Sequence, residues 1–343
     1  MGKRIAVLTG GGDCPGINPV IRAVVRKALK EGYQVIGLKN GWKGLIEKEI
    51  IWLDLNSVSG ILPKGGTILG TSRTNPYKSE ENLKKAKANF KSLKIDALIA
   101  IGGEDTLGTA HKLYKEGFNI VGVPKTIDND LSATDRTFGF DTAVNIATEA
   151  IDRIHTTAES HHRVMVVEVM GRHSGWIGLE AGIAGGADAI LLPEFPVGIK
   201  EVCDLIKKRH NRGKTFSIVV VAEGAKFKQD QEVLQEEELD AFGHVRLGGI
   251  GQLLGKEIEK RTGFETRVTV LGHIQRGGTP TAYDRVLGTR YGVKAVELVI
   301  EGKFGQMTSL QGNQVVSASL EEAVKTLKTV PVELYEIAKI FFG

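Results

Sequence analysis

The sequence predicts an α/β fold in which largely parallel sheets are flanked by helices. Short apolar runs, typical of buried strands, alternate along the chain with segments that have the character of helices. The chain has 343 residues, and because this exceeds what one hydrophobic core usually supports, two domains are expected. The predicted strands are 4–8, 95–101, 120–123, 164–170, 189–192, 217–222 and 267–271.

Three helices are predicted between these strands. The clearest is 18–30, where the apolar residues Ile21, Val24, Val25, Ala28 and Leu29 recur with the period of one helix face. The other two are 141–161 and 174–183. Strands that alternate with helices favour parallel pairing within the sheets.

Composition and charge exclude several classes of protein. The net charge of +4 is mild and suits small anionic substrates. Nucleic acid binding is not expected, because basic residues are not clustered in one stripe and aromatic residues make up only 6% of the chain. No apolar run reaches the roughly 20 residues of a membrane span, so no membrane association is expected.

The N-terminus and the cysteines indicate a cytoplasmic location. The apolar stretch that opens the chain is too short for a signal sequence, and we interpret it as the first strand. The two cysteines, Cys14 and Cys203, form neither a disulfide framework nor a metal-ligand spacing. Such sparse cysteine usage is typical of a reducing compartment.

Polar segments, most of them rich in glycine, follow the predicted strands. They are GGGDCPG, GGEDT, PKTIDND, MGRHSG and GHIQRGG. Ligands of parallel α/β sheets bind beyond the carboxyl ends of the strands, so the functional site is expected here. Residues 226–246 are charge-rich and are interpreted as a surface excursion.

The first of these segments, GGGDCPG, has the composition of an anion cradle. Bare backbone N–H groups and the positive end of the following helix attract phosphate. The segment matches neither GxxxxGK[ST] nor GxGxxG. An ordinary tight turn is the alternative.

The segments GGEDT and PKTIDND carry pairs of carboxylates. Glu104 and Asp105 follow a buried strand and suit Mg²⁺, although acids also favour any helix N-terminus. Asp128 and Asp130 stand two apart beside a lysine and a threonine. Phosphoryl transfer needs a base that reaches a hydroxyl and a carboxylate near the metal. A polar Asx-turn is the alternative for this loop.

Five arginines stand close to strand ends or glycines, at positions 73, 163, 172, 267 and 276. The planar guanidinium fits phosphate oxygens. Each arginine taken alone is typical of a surface residue, but the group favours a reaction complex that carries two phosphates. His273 taken alone is typical of a structural histidine.

The strings GGDCPGIN, LGTSR, GGEDT, PKTIDND, MGRHSGW, VAEG and GHIQRGG together resemble the phosphofructokinase family, in order and over nearly the whole chain. The most specific are PKTIDND and GHIQRGG with MGR between them. The resemblance implies two similar domains with largely parallel sheets flanked by helices. It implies a phosphoryl-donor-binding domain of 1–139 plus 275–319, and a sugar-phosphate-binding domain of 140–274 plus 320–343.

The resemblance also implies Mg²⁺-dependent phosphoryl transfer to the 1-hydroxyl of fructose 6-phosphate. Asp128 matches the family's general base, and Asp130 lies beside it near the metal and the transferring phosphate. Glu104 stands where the family usually has an aspartate that engages Mg²⁺. Arg73 and Arg172 match residues that steady the transferring group.

The remaining implied site residues divide between donor and sugar. The donor-binding residues are Gly11, Gly12, Asp105 and Lys125. The residues that hold the sugar phosphate are Thr126, Met170, Gly171, Glu223, His273 and Arg276. Arg163 and Arg267 match a pair that the family donates from a neighbouring subunit, so a homodimer or homotetramer with shared active sites is expected.

Two positions predict pyrophosphate rather than ATP as the donor. ATP-using bacterial relatives typically have glycine at the positions of Asp105 and Lys125. A carboxylate at 105 would fill the channel that the rest of ATP needs, and a lysine at 125 would neutralise the terminal phosphate of pyrophosphate. A pairing between the two side chains is a further interpretation. The alternative is that Asp105 caps a helix beginning near Thr106 and that Lys125 is solvated.

Other functions are weighed against this one. The long segment between Glu223 and Arg267 resembles the subgroup that includes pyrophosphate users, with an ATP-dependent 6-phosphofructokinase as the alternative. A catalytically inactive regulatory subunit should have lost Asp128 or the glycine loop, and both are present. NAD and lipid kinases lack PKTIDND and GHIQRGG. Only part of the family's effector site is matched in this sequence. The matching residues are Arg22, Arg26, Arg212 and Lys214, and the residues that differ are His155, Asp188 and Thr215. Allosteric control is therefore not predicted.

Overall fold

A computed structural model describes residues 2–228 and 249–343. The predicted surface excursion 226–246 lies outside these residues except for its first three positions. No helix in the described ranges is long and apolar enough to cross a membrane.

Eleven strands are present in the described ranges. They are β1 (Arg4–Thr9), β2 (Gln34–Leu38), β3 (Ile50–Leu53), β4 (Ala97–Gly102), β5 (Ile120–Pro124), β6 (Val164–Val169), β7 (Ala189–Leu191), β8 (Ser217–Ala222), β9 (Thr266–Val270), β10 (Gln306–Gln311) and β11 (Gln314–Ser319). Every predicted strand is found, and no end differs from the predicted one by more than two residues.

Eleven α-helices and two short 3-10 turns, Pro76–Lys78 and Gly272–Arg276, accompany the strands in the same ranges. The helices are α1 (Ile17–Lys30), α2 (Trp42–Glu47), α3 (Glu80–Ser92), α4 (Glu104–Lys115), α5 (Phe140–His161), α6 (Trp176–Ala184), α7 (Ile199–Asn211), α8 (Ile250–Thr262), α9 (Ala282–Ile300), α10 (Leu320–Lys325) and α11 (Val332–Lys339).

The first compact unit comprises the chain up to Thr142 together with Arg276–Leu327. Its sheet has seven strands in the order β11-β10-β5-β4-β1-β2-β3. The five inner strands are parallel, and β3 and β11 are antiparallel edge strands. The polar segments after β1, β4 and β5 therefore leave the sheet at the same edge.

The second unit comprises Ala143–Gln275 and Lys328–Gly343. Its four strands are all parallel, in the order β7-β8-β6-β9. The inner strands β6 and β8 are buried along their whole length, which agrees with sequences that are apolar except for Glu168 in β6 and Ser217 in β8.

The boundary at the C-terminal side differs from the predicted one. Residues 320–327, expected in the second domain, belong to the first unit. The reason is packing, because Leu320 and Ala323 of α10 are buried in the same apolar core as Leu107 and Leu113 of α4. The first unit is thus assembled from two chain segments that are far apart in sequence.

Candidate active site

A cavity of about 190 Å³ lies in the first unit at the carboxyl ends of β1, β4 and β5. Three loops and one arginine line it. The lining residues are Gly11, Gly12, Asp13, Gly103, Glu104, Asp105, Thr106, Lys125, Thr126, Ile127, Asp128, Asp130 and Arg276. The donor-binding, metal-binding and general-base residues implied by sequence thus surround one space, together with Thr126 and Arg276.

The glycine loop after β1 approaches its neighbours too closely for side chains. A β-carbon at Gly12 would overlap Nη1 of Arg276. A β-carbon at Gly10 would lie 2.5 Å from Oγ1 of Thr106. Glycine at these positions therefore lets a guanidinium and a hydroxyl pack directly on the backbone.

Thr106 is a residue that the sequence reasoning did not single out. Its side chain lies against both Gly10 and Gly102, and the residue is almost fully buried. It thereby joins the loop after β1 to the start of α4. The doubled glycines after the two strands were the available signal, since each marks a close approach of backbone to a side chain.

The LGTSR segment is attached to the same loop. Oγ1 of Thr71 donates to the carbonyl of Gly11 at 2.6 Å, and the N–H of Gly11 donates to the carbonyl of Ser72 at 3.3 Å. These bonds hold the backbone that leads into Arg73, whose side chain is exposed.

Lys125 is buried, with 4% of its surface exposed, so the solvated alternative is wrong. Its ammonium donates to the carbonyl oxygen of Gly12, and no ion pair joins it to Asp105 among the described residues. Burial lowers the pKa of Lys125, and the positive charge of Arg276 lowers it further, against the opposing effect of Cys14 and of the carboxylates Asp128 and Asp13. A buried cation beside a second cation is stabilised when an anion binds.

Asp105 is an exposed residue in the first turn of α4. The helix begins at Glu104, two residues before the predicted start, and its N-cap residue is Gly103. Asp105 is therefore inside the helix and not its cap. Its position favours a carboxylate at the positive end of the helix, but it also lines the cavity.

The PKTIDND loop after β5 is held by its own side chains. Asn129 adopts a left-handed backbone, with φ of 51°, and its Oδ1 accepts from the N–H of Thr137 at 3.1 Å. Oγ1 of Thr126 accepts from the N–H of Asp128 at 3.0 Å, and Oγ1 of Thr137 donates to the carbonyl of Thr126 at 2.7 Å. Asp128 and Asp130 thus extend from a fixed turn, and both line the cavity.

Glu104 lies in an environment that disfavours its negative charge. Its partial burial raises its pKa, and the neighbouring carboxylates Asp105 and Asp130 raise it further. No group of three or more histidine, cysteine or acidic side chains is placed to hold a metal within 2–228 and 249–343. The residues fit Mg²⁺, which typically takes one or two carboxylates and completes its shell with water and substrate phosphate.

Three residues assigned to the sugar, Met170, Gly171 and Glu223, lie at the carboxyl ends of β6 and β8 in the second unit. Val169 is paired with Ala222, so Met170 and Glu223 leave the sheet side by side. The N–H of Glu223 donates to the carbonyl of Val169 at 2.8 Å. Gly171 has a φ of 142°, in the region that favours glycine.

The MGR and VAEG segments are also joined directly. The N–H of Gly224 donates to the carbonyl of Gly171 at 3.0 Å. A β-carbon on Gly224 would overlap the carbonyl oxygen of Arg172. Glycine in VAEG therefore permits the two loops to meet, and this brings Arg172 and Glu223 to one end of the sheet.

Gln275 was missed by the sequence reasoning and links the third loop of this unit. Its side chain is fully buried, accepts from the N–H of Met170 at 3.3 Å and donates to the carbonyl of Gly272 at 3.1 Å. The 3-10 turn that carries the exposed His273 is thereby fixed to the end of β6. The glutamine within GHIQRGG was the sequence feature that pointed to a role for Gln275.

Arg163 and Arg267 lie at the opposite end of the same sheet. Arg163 precedes β6, and Arg267 is the second residue of β9, paired with Met165. Because β6 has six residues, about 20 Å of strand separates Arg163 from Met170. Within one chain, the structure does not bring these two arginines together with the other sugar residues of this unit.

A second cavity in the first unit, of about 570 Å³, contains residues matched to the effector site. Arg22 and Arg26 line it together with Lys27 and Lys30 of the same helix. In the other unit, Arg212 donates to the backbone oxygen of Gly343, and Asp188 forms an ion pair with Arg209 at 3.0 Å. Arg212 and Asp188 therefore already have partners within the chain.

Comparison with known proteins agrees with this geometry. The sequence profile described as "Phosphofructokinase" matches residues 4–299. The chain belongs to the phosphofructokinase family. The matched residues include part of each compact unit and every loop described above.

Two curated relatives are named for different phosphoryl donors. A pyrophosphate–fructose 6-phosphate 1-phosphotransferase of Amycolatopsis methanolica is 59% identical over 341 residues, covering 99% of this chain and 100% of the relative. An ATP-dependent 6-phosphofructokinase 3 of Streptomyces coelicolor is 54% identical over 337 residues, covering 98% of this chain and 99% of the relative.

A solved structure gives the same fold. The phosphofructokinase of Saccharomyces cerevisiae superposes with a TM-score of 0.82 at 34% identity, over 99% of this chain. This chain spans 46% of the length of the yeast chain. The α/β architecture predicted from sequence is confirmed.

Proposed function

We propose that this phosphofructokinase transfers a phosphoryl group from pyrophosphate to the 1-hydroxyl of fructose 6-phosphate. The products are fructose 1,6-bisphosphate and phosphate, and the reaction runs in both directions, as glycolysis and gluconeogenesis require. The observation that carries the donor assignment is the buried ammonium of Lys125 against the carbonyl of Gly12, at the wall of the cavity.

The donor would lie against the glycine loop and between two cations. Lys125 and Arg276 both line the cavity beside Gly12, and their mutual repulsion is relieved when an anion binds. A buried ammonium acts as a compact point charge and suits a terminal phosphate that has no further covalent neighbour. Pyrophosphate has such a terminal phosphate where ATP continues into the α-phosphate and nucleoside.

Asp105 supports pyrophosphate as the donor because its side chain would disfavour ATP. Its carboxylate lines the same cavity at the start of α4. A negative side chain there would repel the α-phosphate of ATP and occupy part of the space that the nucleotide needs. The relative with a pyrophosphate name is slightly more similar than the one with an ATP name.

The acceptor chemistry is assigned to the PKTIDND loop. Asp128 would take the proton of the 1-hydroxyl, because a general base must sit on a fixed element within reach of that proton. The hydrogen bond from its N–H to Thr126 and the left-handed Asn129 fix its backbone. Arg73 and Arg172 would neutralise the transferring group, whose charge is spread over three oxygens.

Mg²⁺ would be held by Glu104, with Asp130 beside it. The bound ion supplies charge neutralisation for the phosphates during transfer. The raised pKa of Glu104, caused by burial and by two neighbouring carboxylates, supports a cation at this position.

The sugar would be held by the second unit and by a neighbouring subunit. Met170, Gly171, Glu223 and His273 lie on loops at one end of the four-stranded sheet. Thr126 is a further residue assigned to the sugar. Arg163 and Arg267 lie at the far end of that sheet. This separation supports a homodimer or homotetramer in which each chain lends its two arginines to another chain's site. A cytoplasmic location stays a prediction.

The decisive experiment compares donors on the purified protein. With fructose 6-phosphate and Mg²⁺, kcat/KM should be far higher for pyrophosphate than for ATP, and phosphate with fructose 1,6-bisphosphate should drive the reverse reaction. A preference for ATP would overturn the donor assignment and favour the ATP-dependent alternative. Turnover with neither donor would overturn the proposed function.

A further inference from the structure

A single carboxylate oxygen joins the two arginines at the far end of the four-stranded sheet. Oε1 of Glu265 accepts from Nη2 of Arg163 at 2.9 Å and also from Nη2 of Arg267. Two guanidinium groups, one from the residue before β6 and one from β9, therefore converge on one atom. No motif singled out by the sequence contains Glu265.

The backbone holds this carboxylate in place. Glu265 directly precedes β9, and its carbonyl accepts from the N–H of Val164 at 3.0 Å. Nη1 of Arg267 donates to the carbonyl of Thr266 at 3.1 Å. The three charged side chains are thus anchored to two strands in fixed parallel register.

The charges explain why a carboxylate is useful here. Two guanidinium groups brought this close repel each other, and each could turn away into solvent because both side chains are partly exposed. The ion pairs hold the pKa of Glu265 below its usual range, chiefly through the hydrogen bond from Arg163, so the carboxylate stays ionised at neutral pH. The group of three keeps one net positive charge.

Both arginines keep N–H groups that can donate hydrogen bonds to another ligand. Glu265 takes one N–H from each guanidinium, which has five. Nε of Arg163 is buried and has no hydrogen-bond partner within the described part of the chain. A phosphate with several acceptor oxygens would meet a preassembled pair of cations.

We propose that Glu265 is a positioning residue that holds Arg163 and Arg267 together as one binding pair for the 6-phosphate of the sugar. This inference rests on the proposed function, in which the two arginines serve fructose 6-phosphate. Glu265 acts before the substrate arrives, by keeping two like charges in a binding geometry. An exposed ion pair without such a role usually contributes little to the stability of the folded chain.

The test is the isosteric variant Glu265→Gln. KM for fructose 6-phosphate should rise about tenfold, as expected when a charge-assisted contact is lost. The value of kcat and KM for pyrophosphate should stay unchanged. The matched control is Glu201→Gln, which removes an exposed ion pair with Lys228 in the same unit and should leave all constants unchanged.

A double variant separates positioning from a general structural effect. In the Arg163→Ala background, Glu265→Gln should raise KM only slightly further, because residues that act as a unit are not additive. The proposal is overturned if Arg163→Ala and Glu265→Gln raise KM by factors that multiply in the double variant. It is also overturned if Glu265→Gln alone leaves KM unchanged or lowers it.

Calorimetric binding of fructose 6-phosphate repeats the comparison without turnover. Weaker binding by Glu265→Gln supports the proposal, and equal binding by the variant and the wild type overturns it. Failure of the wild type to turn over fructose 6-phosphate with either donor overturns the proposed function instead.

Discussion

The guanidinium of Arg276 lies against the α-carbon of Gly12, in the position that a β-carbon would occupy. This contact joins the last glycine-rich motif of the sequence to the first. GHIQRGG was assigned to the sugar 6-phosphate, whereas Arg276 lines the cavity of the glycine loop. Its role with the sugar stays a prediction.

The first prediction follows from this contact. Gly12→Ala should lower kcat/KM for pyrophosphate by at least about tenfold, because the methyl group must displace Arg276 or the loop. Gly12 does not have a positive φ, so backbone strain adds nothing. The control is Gly108→Ala within α4, where nothing lies within 4 Å of the added atom and activity should be retained.

The second prediction concerns the general base. Asp128→Asn should lower kcat by about 10²–10⁴-fold, the usual contribution of a positioned base. Binding of fructose 6-phosphate, measured by calorimetry, should persist because the turn is held by Thr126, Asn129 and Thr137. Near-normal turnover of this variant would remove Asp128 from the proposed role.

The third prediction concerns donor choice. Asp105→Gly should gain activity with ATP, because the negative side chain leaves the cavity wall. Lys125→Gly should chiefly lose activity with pyrophosphate, and Lys125→Met should lose it as well while filling most of the same volume. The measurement is kcat/KM for both donors in each variant. An Asp105→Gly chain with an unchanged ratio of donors would contradict the role of the carboxylate.

The fourth prediction concerns shared sites. Asp128→Asn and Arg163→Ala chains, each inactive or impaired alone, should regain activity when they are mixed and reassembled. The reason is that a hybrid contains sites with a normal base from one chain and a normal arginine from the other. If both variants assemble and hybrids stay at the level of the separate variants, each site lies within one chain.

The fifth prediction concerns stability and pH. Burial raises the pKa of Asp284 from 3.8 to about 6, although Oδ2 accepts from the N–H and the hydroxyl of Thr142. Between these two pKa values the folded chain binds more protons than the unfolded chain, so stability falls as pH rises through this window. The free energy of unfolding should drop by up to about 3 kcal/mol from this residue.

Urea unfolding from pH 4 to pH 7 measures this effect. The free energy of unfolding should fall less steeply with pH in Asp284→Asn, because asparagine does not titrate. Asp54→Asn is the control, because hydrogen bonds from Ser57 lower the pKa of Asp54, so this carboxyl titrates mostly below the measured pH range and its removal should leave the slope between pH 4 and pH 7 nearly unchanged. An Asp284→Asn chain with the wild-type slope would contradict the assignment.

The strands that the sequence identified are short runs in which apolar residues predominate. The strand β10 was missed because two of its buried residues are polar. Thr308 and Ser309 are fully buried, and Ser309 donates to the carbonyl of Ala133 at 2.5 Å. A satisfied polar residue in a buried strand leaves no apolar periodicity to recognise. The edge strand β3 was missed for a different reason, because its apolar sequence, IIWL, is only four residues long and periodicity alone does not distinguish so short a run from part of a helix.

The candidate site was predictable where a motif carries its own chemistry. Carboxylates after strands were visible in GGEDT and PKTIDND, and glycines in GGEDT. The contacts of Thr106, Gln275 and Glu265 were not, because each depends on which strands become neighbours. The convergence of Arg163 and Arg267 on Glu265, for example, requires β9 to pair with β6 across about a hundred residues.

The split of the first unit into two chain segments imposes an order on folding during synthesis. All four strands of the second sheet are translated before β10, which pairs with β5 through Met307 and Gly122. Until β10 emerges from the ribosome, β5 is an apolar strand with one unpaired edge. Such edges invite association with other chains, so the nascent protein passes through a stage at which β5 needs protection.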